Sequence, residues 1–151
     1  MNYKQLNIIV AILQNLKLDT VQSLIRRRFI KLTQDELEIY QESSKEIKNK
    51  YSIKKEDGSP KLISNELQFE KGDKVRVKES LKELSEQEVK IDFSKNLTDV
   101  YNIIDFFEDF KTEFLDKYPE GMNDDAFQFL EDINNSIELL KSIEKQYETK
   151  N

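Results

Sequence analysis

The chain of 151 residues has no cysteine and no histidine, and it has only three glycines and two prolines. These absences exclude disulfide frameworks, thiolate nucleophiles, His-based acid–base catalysis and Ser-His-Asp triads. A metal site in such a chain would need oxygen ligands alone. We therefore expect no cofactor and no enzymatic activity, and binding is the better hypothesis for the function.

Long apolar runs are missing as well, since the longest one near the amino terminus covers only residues 8–13. A membrane-spanning helix needs about 20 apolar residues, and no small-residue cleavage site follows this run. The sequence thus predicts a soluble, cytoplasmic protein without a membrane segment. Leu, Ile, Val and Phe still supply 46 residues, a share well above the level of about 20 % that is typical of disordered chains.

The charged residues, 36 % of the chain, are unevenly distributed around a net charge of −6. Residues 1–90 hold 18 basic and 15 acidic side chains, whereas residues 91–151 hold 6 basic and 15 acidic ones. The first part is therefore slightly basic, at +3, and the second strongly acidic, at −9. An excess of one sign in one region favours a partner of the opposite sign.

Helical periodicity dominates residues 1–53, and Asp19 is placed to cap a second helix. Residues 33–36 match a capping box, which predicts that a fresh helix starts at Thr33. The alternative is one long helix over residues 20–52. The predicted core face consists of Leu6, Ile9, Val10, Leu13, Leu16, Val21, Leu24, Ile25, Phe29 and Leu32.

The period changes between residues 54 and 93. A turn with an Asp-Gly centre precedes a short extended stretch at residues 62–69, and a helix over about 73–87 follows with Val75, Leu81 and Leu84 on its apolar face. Residues 88–93 alternate apolar and polar side chains, which is typical of a half-buried strand. We expect a small two-stranded β insertion in which residues 62–69 pair with residues 88–93.

Residues 94–151 predict an antiparallel αα-hairpin, whose first helix ends at Pro119 and whose second is capped by Asn123. The predicted fold is mainly α, with about five helices in one domain: N-terminal helices (1–53), the α/β insertion (54–93) and the acidic hairpin (94–151). The two facing seams of the hairpin consist of Val100, Ile103, Ile104, Phe107, Phe110, Phe114 and Tyr118, and of Phe127, Leu130, Ile133, Ile137, Leu140 and Tyr147.

The acidic hairpin is the first candidate binding surface. Like charges four residues apart, as in Asp105, Asp109 and Glu113, cost a few tenths of a kcal/mol per pair. A surface that keeps them is consistent with selection for a basic partner or for resemblance to a phosphate backbone. For this pattern taken alone, a solvated face that keeps a Phe-rich hairpin soluble is the favoured interpretation. The candidate contacts are Asp105, Phe106, Glu108, Asp109, Glu113, Asp116, Asp124, Asp125 and Phe129.

Two of these candidates, Phe106 and Phe129, lie off the main seam. The pattern favours core packing for both rings over an exposed patch for a partner.

Three of the four arginines are consecutive, at positions 26–28. Guanidinium groups bind phosphates and carboxylates bidentately, so Arg26 and Arg27 are candidate partner contacts. Three successive helical residues cannot face one direction, and an ion pair within the chain, for instance to the acidic hairpin, is the favoured interpretation. A helix-turn-helix DNA reader in residues 1–32 is disfavoured, since the segment lacks a glycine-type turn and the chain lacks a basic charge.

A weaker pattern concerns magnesium. Glu83 and Glu86, followed by Glu113 and Asp116, have the spacing with which all-helical nucleotide pyrophosphatases hold Mg²⁺ against phosphates. One residue in five is acidic, so such pairs arise by chance. An EF-hand beginning at Asp92 is excluded because Leu97 stands where the loop needs glycine.

A resemblance rests on residues 13–18 (Leu-Gln-Asn-Leu-Lys-Leu), residues 23–32 (Ser-Leu-Ile-Arg-Arg-Arg-Phe-Ile-Lys-Leu), the charged helix after them, Glu-Asp-Gly at 56–58, and residues 83–92. Over residues 6–92 the chain resembles a family of small uncharacterised proteins of phages and prophages of low-GC Gram-positive bacteria. The abundance of Lys, Ile and Asn is typical of an AT-rich genome. The resemblance implies a location in the bacterial host cytoplasm and carries over no functional residue.

These observations favour a phage- or prophage-encoded, non-enzymatic protein that binds a host or phage protein with a basic surface and inhibits or redirects it. An anti-defence inhibitor is the concrete form. The alternatives are an acidic DNA-mimic inhibitor of a nucleic-acid enzyme, a phage assembly or tail chaperone, and the magnesium-dependent pyrophosphatase. We do not expect direct nucleic-acid binding, and homo-oligomerisation is left open.

Overall fold

The computed structural model describes residues 1–148, which form five α-helices and one β-hairpin. The prediction of a mainly α fold with a small two-stranded insertion and a C-terminal αα-hairpin is confirmed. The elements are α1 (Tyr3–Asn15), α2 (Thr20–Tyr51), β1 (Leu62–Ile63), β2 (Glu66–Leu67), α3 (Lys71–Ser85), α4 (Leu97–Asp116) and α5 (Asp124–Glu148).

Side-chain caps fix where three of the helices begin. The side chains of Asn2, Asp19 and Asn123 each accept a hydrogen bond from the backbone N–H three residues later, at 2.9, 2.8 and 2.9 Å. Each cap satisfies one of the N–H groups that have no partner in the first turn of a helix. The caps at Asp19 and Asn123 are those that the sequence predicts.

Helix α2 runs without a break through residues 33–36, so the single long helix forms and the predicted restart at Thr33 is wrong. The Thr33 hydroxyl is buried and donates to the carbonyl of Ile30 at 2.9 Å. Glu36 accepts a hydrogen bond from the hydroxyl of Tyr3 at 2.6 Å. Because these contacts occupy both side chains of the supposed capping box, neither is left to cap a new helix.

The first half of α2 packs with α1, α4 and α5 around one core. Helix α1 contacts α2 and α5, and helix α4 contacts the same two helices, so each of the four has two neighbours, as in a four-helix bundle. The pairing of α4 with α5 confirms the predicted hairpin. The fully buried apolar side chains of this core are Leu6, Ile9, Leu13, Phe29, Val100, Ile103, Phe107, Ile133 and Leu140.

The second half of α2 leaves the core and packs against α3 to form an arm, residues 37–85. A β-bridge between Ser52 and Phe69 ties the chain together where α2 ends, and the β-hairpin lies beyond it at the arm tip. At the other end, the N–H of Tyr3 donates to the carbonyl of Gln87 at 3.2 Å. The arm is thus attached to the start of α1. None of the described helices combines the length and the apolar character needed to cross a membrane.

The β insertion pairs differently from the prediction. Strand β1 pairs with β2, with Leu62 opposite Leu67, and the turn residues Ser64 and Asn65 have positive φ angles of 52° and 63°. Two successive residues in this conformation form the tight turn that suits the twist of a hairpin. The predicted pairing of residues 62–69 with 88–93 is therefore wrong, because this local turn joins β1 to the strand that follows it directly.

Residues 88–93 form no strand in the described part of the chain, and a single bridge joins Glu88 to Asn2. The segment instead carries Phe93 into the core, where its ring stacks on Phe29 with the centroids 5.9 Å apart. Its alternating pattern reflects one buried face of an extended segment that packs on helices.

Four apolar residues predicted for buried faces are exposed. The exposed fractions of Val21, Leu24, Val75 and Phe127 are 70 %, 52 %, 57 % and 55 %. Periodicity identifies an apolar arc on a helix, but the neighbouring helices decide which part of the arc is covered. On α3, for example, Val77 is buried and Val75 is not.

The buried Tyr3 predicts a loss of stability in alkali. The hydrogen bond to Glu36, burial and the charge of Glu36 together raise the pKa of Tyr3 from 10.0 to about 12. Because the folded pKa is the higher one, this contribution is present below pH 10 and is lost as the pH rises towards 12. We expect the stability advantage of the wild type over Tyr3→Phe to disappear across this range.

Denaturant midpoints of both proteins between pH 8 and pH 12 measure this effect. Phe at position 3 keeps the ring that stacks on Tyr40 at 5.3 Å, so the comparison isolates the hydroxyl, and the titration of other tyrosines and lysines cancels. A difference that stays constant with pH would contradict the prediction.

Candidate functional site

The outward face of α4 carries four carboxylates, termed the acidic stripe: Asp105, Asp109, Glu113 and Asp116. They follow one another at four, four and three residues, a spacing that places them on one side of the helix. All four are exposed, and none forms an ion pair within residues 1–148. Their charge is therefore directed at solvent or at a partner.

The remaining acidic candidates on this hairpin have local roles. Glu108 is half-buried and forms an ion pair with Lys141 of α5 at 3.2 Å. Asp124 and Asp125 are exposed in the first turn of α5, where carboxylates interact favourably with the positive end of the helix dipole. These three carboxylates therefore stabilise the hairpin locally.

A groove of about 480 Å³ lies between α4 and the α1–α2 turn, and it is termed the α4 groove. Its apolar part comes from buried Leu16 and Phe106 and from half-buried Leu18 and Phe110, all of which belong to the hydrophobic cluster or pack against it. Three of the predicted partner contacts, Phe106, Asp109 and Glu113, therefore lie together in this groove. The lining residues are Asn15, Leu16, Lys17, Leu18, Gln22, Phe106, Asp109, Phe110, Glu113 and Lys117.

The two off-seam aromatic candidates are used for packing. Phe106 is buried, with 8 % exposed, and only contributes to the groove lining. Phe129 is half-buried and packs edge to face on Phe110 and Phe114, with centroids 6.0 and 5.2 Å apart. Both rings therefore follow the core interpretation, and neither is an exposed anchor for a partner.

The three arginines have three different environments. Arg26 donates from Nη1 to the carbonyl of Leu16 at 2.8 Å, so it caps the end of α1 and fixes one wall of the groove. Arg28 binds Asp99 bidentately, through Nε at 2.8 Å and Nη2 at 2.6 Å. Arg27 is exposed and forms no ion pair in the described residues. The internal ion pair is thus confirmed for Arg28, and Arg27 alone stays available to a partner.

The ion pair of Arg28 with Asp99 joins α2 to the start of α4. The side chain of Asp99 is 8 % exposed and that of Arg28 is 48 % exposed. The hydrogen bond from Arg28 lowers the pKa of Asp99 against the opposing effect of burial. Since Gln22 of α2 lies in the same groove as Phe106 and Asp109 of α4, the two helices run antiparallel beside the site.

Two aliphatic residues of α2 that the sequence predicts for a buried face are exposed instead. Val21 and Leu24 are on the first two turns of α2, on either side of Gln22 in the chain. Their exposure follows from the apolar arc on α2, which is wider than the part that the neighbouring helices cover.

A second groove, of about 660 Å³, lies between α1 and α5 and is lined mainly by Asn, Gln, Ser and acidic side chains. None of the sequence-predicted partner contacts lies in it. Several of its polar groups already bond within their own helix, as when Ser136 donates to the carbonyl of Asp132 at 2.7 Å. It is therefore the weaker candidate.

The magnesium hypothesis fails on geometry. Among residues 1–148, no three side chains of Asp, Glu, His or Cys gather in a way that could hold a metal ion. The pairs Glu83 and Glu86, and Glu113 and Asp116, lie at the ends of two different helices, α3 and α4. The pyrophosphatase alternative thus has no converging ligand set.

Comparison with known proteins yields no family model that matches the chain, and no match among curated proteins or solved structures.

Proposed function

We propose that this is a non-enzymatic protein-binding protein whose α4 groove and acidic stripe bind a partner with a basic surface. One juxtaposition carries the proposal: Asp109 and Glu113, which form no ion pair with a described residue, line a groove with an apolar floor. Protein interfaces combine an apolar centre with a polar rim in this way. A face that served solubility alone would not need the groove.

Long-range charge supports the same proposal. Residues 97–148 hold 4 basic and 14 acidic side chains, so the whole α4–α5 hairpin attracts a cationic surface before contact is made. Such attraction raises the rate of association and selects against acidic partners. Lys17 and Lys117 at the groove would restrict which basic surfaces fit, because they repel cations placed directly over them.

We infer the cellular location of the partner from the resemblance to small phage and prophage proteins. We place the partner in the cytoplasm of a bacterial host, with the protein acting as a phage-encoded inhibitor that occupies a surface of a host protein, such as a defence protein. The apolar groove favours this over mimicry of DNA, because a phosphate backbone offers no apolar contact of that kind.

Affinity purification from a Gram-positive host lysate, before and after infection, tests the proposal. We expect the wild type to recover a stoichiometric partner, and Asp109→Lys with Glu113→Lys to weaken binding about tenfold or more, equal to ~1.4 kcal/mol. The matched control is Glu120→Lys with Glu131→Lys, which makes the same charge change at exposed positions outside the groove.

The identity of the recovered partner distinguishes the proposed function from its alternatives. A partner that binds DNA and loses it on binding this protein supports mimicry, and a phage structural protein supports the chaperone role. Recovery of no stoichiometric partner, or equal binding by the groove and control variants, would refute the proposed site.

A further inference from the structure

Helix α3 carries a row of four lysines, termed the lysine stripe: Lys71, Lys74, Lys78 and Lys82. They follow one another at three, four and four residues, a spacing that places them on one face of the helix. All four are exposed, and none forms an ion pair within residues 1–148. Lys78 has another lysine four residues away in each direction, and such like-charge neighbours destabilise a helix. A row that keeps them is suited to an anionic surface.

The acidic side chains of α3 lie off this face. At about 100° per residue, Asp73, Glu79 and Glu83 are roughly 90° or more from the middle of the lysine stripe. Asp73 also pairs with Arg76 at 3.3 Å, on another side of the helix. The lysine stripe therefore presents its positive charges without an acidic neighbour from α3 on the same face.

The acidic stripe on α4 has the same spacing in the reverse order. Its carboxylates follow one another at four, four and three residues, whereas the lysines follow at three, four and four. If the two helices lie antiparallel, the two rows match in register over their whole length, which is about 17 Å at 1.5 Å per residue. The residues brought level with each other are Lys71 and Asp116, Lys74 and Glu113, Lys78 and Asp109, and Lys82 and Asp105.

An exposed valine borders the lysine stripe on the side that would meet the α4 groove. Val75 is 57 % exposed and directly follows Lys74 of the stripe. On α4, Phe110 of the groove directly follows Asp109 in the same way. Because two facing antiparallel helices are related by a two-fold axis, residues displaced to the same side of the two stripes meet. In the matched register Val75 is level with residue 112, so it is placed to contact the apolar floor of the groove.

Helix α2 keeps the two stripes of one molecule apart. Gln22 shares the α4 groove with Asp109 of the acidic stripe. Lys71 lies two residues after Phe69, which forms a bridge with Ser52 at the end of α2. Gln22 and Ser52 are 30 positions apart, so the continuous helix separates them by about 45 Å. The match in register therefore needs a second molecule.

The directions of the helices suit a symmetric pair of molecules. Helix α4 runs antiparallel to α2, and α3 does so as well. Helix α3 starts beside Ser52, and Gln87 after its end bonds Tyr3, whose hydroxyl donates to Glu36 of α2. A two-fold axis perpendicular to α2 thus places each α3 antiparallel to the α4 of the other copy. Both contacts then form at once, and the assembly closes as a dimer.

We propose that a second copy of this chain lays the lysine stripe of its α3 along the acidic stripe of α4, with Val75 on the apolar floor of the α4 groove. A single exposed ion pair contributes little to an interface, but here a network of pairs forms twice and adjoins an apolar contact. The inference rests on the proposed function in one respect, since self-association occupies the same groove and acidic stripe that would bind a foreign partner.

A charge-swap experiment on the full chain tests this inference. Sedimentation equilibrium at about 100 µM protein and low salt should show a dimer that weakens as salt is raised to about 500 mM. Lys74→Glu with Lys78→Glu, and Asp109→Lys with Glu113→Lys, should each weaken self-association about tenfold or more, because like charges then face each other at both contacts. An equimolar mixture of the two variants should restore it, because the two altered stripes then attract each other and the two unaltered stripes also meet.

Each charge-swap variant has a matched control. Lys55→Glu with Lys61→Glu makes the same charge change as the lysine-stripe variant at exposed positions beyond the end of α2. The Glu120→Lys, Glu131→Lys protein serves the acidic stripe in the same way. Val75→Ser removes the apolar contact without changing charge, and it should weaken self-association about threefold or more.

Three results would overturn the inference: a wild type that stays monomeric, a mixture that does not recover, or controls that weaken the dimer as much as the stripe variants do. Monomeric wild type that binds a DNA duplex, and loses that binding with Lys74→Glu and Lys78→Glu, would overturn it in favour of a nucleic-acid partner.

The dimer and the proposed function fail separately. The Lys74→Glu, Lys78→Glu protein keeps an intact acidic stripe and α4 groove, so it should still recover a foreign partner from lysate even though it no longer self-associates. A monomeric wild type that recovers a partner refutes the dimer alone, and a dimer that recovers no partner refutes the proposed function alone.

Discussion

Replacing Phe107 with alanine is expected to lower the free energy of unfolding by about 3–5 kcal/mol. The ring is fully buried in the core cluster to which α1, α2, α4 and α5 all contribute, so truncation removes its transfer free energy and leaves a cavity. For a chain of this length, the loss corresponds to a fall of roughly 10 °C in the thermal midpoint. Chemical denaturation followed by circular dichroism measures the change directly.

Phe127→Ala is the matched control for this substitution. The sequence places both rings on the facing seams of the αα-hairpin, but Phe127 is 55 % exposed. Alanine also has the higher helix propensity, so we expect a change of no more than about 0.5 kcal/mol. Similar losses in the two variants would contradict the assignment of Phe107 to the core and of Phe127 to the surface.

The contrast between these two rings indicates what the sequence can predict about this fold. Caps such as Asp19 and Asn123, the stop at Pro119 and the long apolar periods of α4 and α5 are local signals, and the corresponding elements formed as predicted. Which part of an apolar arc is covered depends on neighbouring helices that are distant in sequence. Phe127 and Val75 were misplaced for that reason.

The error at residues 88–93 has a different physical origin. An alternating pattern predicts a strand only if another strand is free to pair with it. The predicted partner, residues 62–69, is already paired with itself, because the Ser64-Asn65 turn brings β2 back against β1. Packing of Phe93 against Phe29 then satisfies the same apolar face without a sheet.

The candidate site was predicted in part. Helical spacing alone identified the acidic stripe, since it depends on one helix. The α4 groove could not be identified from the sequence, because its other wall comes from residues 15–22, roughly 90 positions earlier in the chain. Likewise, the sequence indicated that the arginines would pair internally, but it could not assign Arg28 to Asp99, Arg26 to the end of α1 and Arg27 to solvent.

Arg28→Ala is expected to be the second most damaging of these substitutions. It leaves the carboxylate of Asp99, whose side chain is 8 % exposed, without its partner. We expect a clear loss of stability, smaller than that of fully buried pairs, because solvent reaches the site from the arginine side. Since this pair anchors α4 to α2 next to the α4 groove, the variant should also weaken partner binding.

Acid removes the same stabilisation in the wild type, and this provides the decisive measurement. The hydrogen bond from Arg28 lowers the pKa of Asp99 below its ordinary value of 3.8. The contribution is therefore complete above about pH 4 and is lost as the pH falls through the lowered folded pKa. The difference in unfolding free energy between wild type and Arg28→Ala should be constant near neutrality and shrink below about pH 4.

The Arg27→Ala variant, which removes an exposed guanidinium that pairs with no described residue, should show neither the loss nor the pH dependence. If Arg27→Ala matches Arg28→Ala, then general charge, and not the ion pair, holds α4 against α2.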